Sequence, residues 1–161
     1  MNYDSYYSDY DAVLGGLLII AFIVILIFAL LSYLISAIIF YTTSKTNGFS
    51  DLAYIAWIPL INVYSLFLLT ANGDDDATSR AVAKKIALIY FGLFIVSFIP
   101  IIGFISSLAM AGIVLYYSYR LMYRWSGETG KAVLYIILTF ITCGLFFAIY
   151  GLMRMKQPFK A

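Results

Sequence analysis

The ionisable side chains of this 161-residue chain that are charged at neutral pH are eight carboxylates and ten lysines and arginines; there is one cysteine and no histidine. Without an imidazole, histidine-ligated haem, the usual zinc hydrolase ligand sets and Ser-His dyads are excluded. Cys143 stands alone, so neither an internal disulfide nor a thiolate cluster can form. The densest group of reactive type is Asp74-Asp75-Asp76. Three adjacent carboxylates can hold a divalent cation in the manner of a prenyltransferase, but oxygen-only sites need more converging ligands than a solvated run supplies. The same run suits the positive end of a helix dipole. Asp76, Arg80 and Lys84 then follow at four-residue spacing, which predicts favourable side-chain pairs along a helix.

The placement of the carboxylates matters more than their number. Asp4, Asp9, Asp11, Asp51, Asp74, Asp75, Asp76 and Glu128 all lie outside the apolar runs. Ionisable groups inside a span are the usual mark of a proton relay, an ion path or an intramembrane catalyst. Only Arg120 approaches such a position, and its long stem can snorkel to the surface. General acid–base chemistry therefore has no visible players, and no catalytic, metal or cofactor residue is expected. Arg120 and Arg124, one helical turn apart beside Lys131, suit anionic lipid headgroups, each cation being worth about 1 kcal/mol near the surface. Ordinary positive-inside topology accounts for the same three charges. Asn62, Tyr64 and Ser65 form the polar cluster of a broken apolar segment and are the candidate polar site. Capping of the backbone freed at Pro59 explains them equally well. Cys143, set in an apolar run, reads as a small packing residue.

These residues are carried by elements whose solvent is fixed by composition. The chain is 64% hydrophobic and 11% charged, with a mean hydropathy of +0.97. A soluble domain has roughly 45–50% apolar and about 25% charged residues, so an integral membrane protein is expected. The ruler is about 20 apolar residues for a core of about 30 Å. The run Val13 to Tyr41 exceeds it, and its acidic, lysine-free leader is unlike a signal peptide. Leu52 to Thr70 is barely long enough and is interrupted at Pro59. Ile86 to Tyr123 is too long for one crossing and breaks at Pro100-Ile-Ile-Gly103, which predicts a helical hairpin. Ala132 to Met153 carries a Thr142-Cys143-Gly144 interruption.

Lysine and arginine collect on the cytoplasmic side of span ends. Five crossings split the cations almost evenly between the two sides. If Leu52 to Thr70 returns to the face it left, or lies in the interface, then Lys45, the group Arg80, Lys84 and Lys85, and the group Arg120, Arg124 and Lys131 become cytoplasmic. If the last run also returns, all ten do, with the cation-free N-terminus outside. The resulting expectation is an all-α, polytopic membrane helical bundle of about four crossings plus one re-entrant or interfacial segment, with three crossings as the alternative. Residues 1–12 read as an acidic, tyrosine-rich tail, 13–153 as one transmembrane domain and 154–161 as a basic tail.

Gly103, Ser107 and Ala111 place a small residue at every fourth position, a stripe on which a second helix can pack closely. Trp57-Ile-Pro-Leu-Ile-Asn-Val-Tyr64 is echoed by Phe98-Ile-Pro-Ile-Ile-Gly-Phe-Ile105. Paired proline breaks can mark a transporter's central site, but Ile-Pro-aliphatic is also a common turn device in apolar sequence. With Ser-Lys-Thr-Asn-Gly-Phe-Ser before these motifs and Tyr-Arg-Leu-Met-Tyr-Arg-Trp-Ser-Gly after them, the chain resembles a family of small bacterial multi-span membrane proteins of unknown function. Its end, Ile-Thr-Cys-Gly-Leu-Phe-Phe-Ala-Ile-Tyr, is similar to another uncharacterised bacterial membrane domain. The resemblance covers about residues 30–153 and departs from the family at Asn72-Gly-Asp-Asp-Asp. It implies a compact bundle in the bacterial inner membrane and transfers no activity. The function expected is that of a non-enzymatic accessory or scaffold subunit acting through helix–helix contacts. The alternative is a small channel, transporter or lipid-handling protein using the breaks at Pro59 and Pro100. Membrane lipids and a second membrane protein or a copy of the chain are the expected partners; nucleic acid is not.

Overall fold

A computed structural model of the protein describes residues 3–73 and 75–160, with side chains from residue 12 onward. Among the described residues every regular element is a helix, with no strand: α1 (Tyr3–Thr46), a 3₁₀ helix (Ala53–Trp57), α2 (Val63–Thr70), α3 (Asp76–Val96), α4 (Ile102–Ser126), α5 (Thr129–Ile141) and α6 (Leu145–Arg154). Two helices are long and apolar enough to cross a membrane, Ala12–Thr46 within α1, and α4. The chain divides into two compact units, residues 1–35 and 36–161.

The first unit is the greater part of α1. The helix begins well before Val13, so residues 3–12 are helical, and their acidic side chains up to residue 11 lie outside the description. From Val13 to Leu31 every large apolar side chain is exposed. Hydrophobicity runs round the whole helix without a polar face, the pattern of a helix whose solvent is itself apolar.

The second unit is a set of hairpins whose turns form where the sequence cannot continue a helix. Leu52 to Thr70 is one of them. The 3₁₀ helix stops at Ile58, which is extended as a residue before proline must be, and Leu60 takes a positive φ of 67° before α2 starts. α2 has eight residues, about 12 Å, far short of a bilayer. At Pro100 the turn is tighter. Ile101 adopts φ 70° and ψ −59°, and Ile102 N donates to Pro100 O at 2.8 Å, closing a three-residue turn of a strained kind. Gly103 is required there, since a Cβ on it would lie 2.2 Å from Ser97 O. The run 132–153 breaks at the anticipated place. Cys143 and Gly144 both have positive φ, and Gly144 N caps α5 by donating to Thr139 O at 2.7 Å. Cys143 is exposed in this turn, not packed within a helix as its apolar setting suggested.

The two Ile-Pro breaks share the positive φ that follows each proline, yet lead into helices of 8 and 25 residues. The echo is therefore a local turn device rather than a repeated fold unit.

The shortest helix is the hub. Ser65 to Thr70 of α2 are all buried, packed against α3, α4 and the 3₁₀ helix. Phe67 meets the rings of Tyr90 and Tyr117 edge-on at 5.7 and 5.1 Å. α5 packs on α4 and α6 on α5, with Trp125 buried beside Phe147 and Tyr150. Ile39, in the last part of α1, comes so close to Gly151 that a Cβ there would stand 2.7 Å from Ile39 Cδ1.

Candidate functional site

The polar groups of the second unit gather where its hairpins begin and end, and arginines tie those ends together. An eight-residue helix leaves its last carbonyls without intrahelical partners. Arg124, near the end of α4, supplies them: Nη1 donates to Leu69 O and Nη2 to Ala71 O, both at 2.9 Å. Its guanidinium also lies over the Phe159 ring at 5.3 Å, and its own carbonyl accepts from Lys160 N at 2.8 Å. One turn earlier, Arg120 donates to Asn72 Oδ1 and stands 6.0 Å from the Tyr116 ring centre. Arg154 at the end of α6 donates from Nη2 to Trp125 O at 2.5 Å and also bonds Gln157. The chain end is pinned by Thr46 Oγ1 donating to Met155 O at 3.1 Å and Phe159 N donating to Asn47 Oδ1 at 2.9 Å.

The start of α3 joins the same cluster. Asp75 is the N-cap, its side chain accepting from Thr78 N at 2.7 Å; hydrogen bonding from the Thr78 side chain, and then from its backbone N–H, lowers the Asp75 carboxyl below the ordinary range. The acidic run thus begins a helix as its sequence implied. Asp74 lies outside the described residues, and among the described residues no group of three or more His, Cys, Asp or Glu is placed to hold a metal ion. Arg80 feels the favourable charge of Asp76 on its own helix but forms no ion pair with it. It reaches 29 positions back to Asp51 in a two-pronged ion pair, at 2.6 and 3.0 Å, which lowers the Asp51 carboxyl and raises the Arg80 guanidinium. Two parallel charge-assisted bonds across elements have better geometry than an i,i+4 pair on a solvated face. Asn72, Gly73, Thr78 and Arg124 line an open recess of about 310 Å³ beside this junction.

The residues singled out from sequence are dispersed. Arg120 and Arg124 meet at the junction, where their nitrogens hold protein oxygens; Lys131 stands apart in an exposed ion pair with Glu128 at 2.7 Å. Asn62 is the N-cap residue of α2, but its side chain makes no cap bond, so capping does not account for it. Tyr64 is half-buried and Ser65 fully buried within the α2 hub. Gly103 is taken up by the turn, whereas Ser107 and Ala111 are exposed, Ser107 Oγ donating back to Gly103 O at 2.8 Å. Thr43 Oγ1, Ser44 Oγ, Trp125 Nε1 and Arg154 Nε are buried polar atoms without a hydrogen-bond partner in the described structure. Asn47, Asp51, Arg154 and Phe159 are the junction residues that sequence reading missed. The one available signal was Phe159, an aromatic ring in an otherwise polar tail.

Chemically, the junction is a set of donors spent on carbonyls, suited to holding helix ends at one level. No protein-family model matches the chain, and no curated protein or solved structure matches it either.

Proposed function

We propose that the chain is an integral membrane protein that acts as a non-enzymatic accessory or scaffold subunit, through contacts made by its helices. α1 supplies a crossing, with the N-terminus outside. The segments 52–70 and 132–153, broken into pieces of at most 13 residues or about 20 Å, return to the face they left. All ten cations then share the cytoplasmic side, the arrangement the positive-inside rule favours. The bacterial inner membrane is the compartment implied by the resemblance at residues 30–153.

One observation carries the contact reading. Ser107 and Ala111 stay exposed on α4, while Gly103 and Ser106 of the same helix are buried. Small residues facing outward give a helix from a partner or a second copy a close approach in lipid. The test is Ser107→Leu and Ala111→Leu, followed by crosslinking in native membranes and migration in native gels. The account expects the crosslinked or larger species to fall at least several-fold. Unchanged species with both leucines present would remove the contact reading.

A further inference from the structure

The three hairpins of the second unit share a geometry that goes beyond a bundle of spans. Their roots are bound to one another. Asp51 at the first root pairs with Arg80 near the second, Arg124 holds the end of α2 to the end of α4, and Arg154 holds the end of α6 to Trp125. Their turns therefore project away from a common polar base. All three turns are uncharged and carry bare apolar side chains: Leu60 is 68% exposed, Phe98 75%, Ile101 86% and Ile141 72%.

The depth of each hairpin can be counted. α2 reaches about 12 Å, and α5 and α6 about 20 and 15 Å, between root and turn. α3 is longer, but Lys84 and Lys85 stand exposed in its middle. From Lys85 to Ser97 there are 12 residues, about 18 Å. Thr78 and Arg124 line one recess at the root and Ser97 meets Gly103 at the turn, so in an antiparallel register Lys84 and Lys85 fall at about the level of Tyr116 and Tyr117. Lysines and tyrosines at one level mark a membrane–water interface. A hydrocarbon core is about 30 Å thick and one leaflet of it about 15 Å. To carry the Pro100 turn to the far side, both lysines would have to sink well into hydrocarbon, a costly position for a charge.

We infer that residues 52–70, 86–119 and 132–153 form a wedge that enters only the cytoplasmic leaflet, its apolar turns ending near the bilayer midplane against lipid chain ends. α1 is then the one segment that crosses. The ligand of this surface is lipid: acyl chains around the turns and anionic headgroups around the cationic base. Inserted this way, the unit adds lateral area to one leaflet alone. The inference rests on the proposed topology with all three roots on the cytoplasmic side, which labels at the roots test separately.

Cys143 is a natural reporter, since it is exposed in the α5–α6 turn. Phe98→Cys in a Cys143→Ser background reports the α3–α4 turn. The full chain, labelled with a bimane maleimide in detergent, is reconstituted into phosphatidylcholine vesicles whose acyl chains carry bromine near the ester or near the chain end. Unlabelled protein in intact cells is treated in parallel with an external, membrane-impermeant maleimide. The wedge predicts that chain-end bromine quenches both positions at least twofold more than near-ester bromine. It also predicts that neither cysteine reacts from outside. Reaction of Phe98→Cys from outside would show a full crossing by α3 and α4 and overturn the inference. Stronger quenching by near-ester bromine would overturn it in the other direction, placing the turns in the interface.

Discussion

Leu17-Leu-Ile-Ile20 in the first unit and Leu66-Phe-Leu-Leu69 in the second are both wholly apolar, and the molecule treats them in opposite ways. The first four side chains are all about 60% exposed, whereas the second four are 3% exposed or less. Gly15 and Gly16 face open space, whereas Gly103 and Gly151 are pressed by neighbours. Apolar composition alone therefore does not say which side chains form the interior. What makes an interior here is a short helix with nowhere to send its last carbonyls, and an arginine that takes them. In lipid, apolar side chains gain little by leaving one greasy surrounding for another, so polar bonds and close small-residue packing decide where helices meet.

That contrast can be broken by substitution. Arg124→Leu removes two charge-assisted bonds and leaves Leu69 O and Ala71 O without their donor. It should cost about 3 kcal/mol in reversible unfolding in mixed micelles. Leu26→Ala, on the bare helix, should stay within about 0.5 kcal/mol. An equal effect of the two would erase the distinction between the units. Gly151→Val drives a side chain against Ile39 and should cost about 2 kcal/mol. Gly16→Ala meets nothing and should be neutral or stabilising by up to about 1 kcal/mol, the helix-propensity difference.

The smallest effect concerns pH. The Arg80 guanidinium holds the Asp51 carboxyl below its ordinary value of 3.8. A depressed folded value means the pair's contribution is fully present above the unfolded carboxyl's range and is lost as pH falls through the lower folded value. Thermal unfolding near neutral pH and below pH about 3 should show a small extra acid loss in the native chain that Asp51→Asn lacks. Both residues are solvated, which limits the size of this difference.

Local breaks were legible in the sequence because they are matters of backbone chemistry. Pro59, Pro100 and the Thr142-Cys143-Gly144 triplet each interrupt a helix where they stand, and Asp75 starts one. The junction was not legible, because its bonds join positions 29 to 112 residues apart and no periodicity announces them. Arg80 was read toward its own helix because i,i+4 pairs are all a single helix can offer; Asp51 became available only when the first hairpin folded back. The bonds of Arg124 were hidden for the same reason, whether its charge is assigned to topology or to headgroups: the carbonyls it serves belong to a helix whose brevity follows from a turn 10 residues earlier. Cys143 looked like a packing residue because its neighbours are apolar, but a turn exposes even small side chains.

The central claim is that every hairpin of the second unit is rooted on one face of the membrane. It is tested most directly by single cysteines at Ser50, Ala77, Thr129 and Lys156 in a Cys143→Ser chain. All four positions are exposed beside the roots. The account predicts that all four are shielded from an external membrane-impermeant maleimide in intact cells and react once the cytoplasmic face is opened. Reaction of any one from outside, with the others protected, would contradict it.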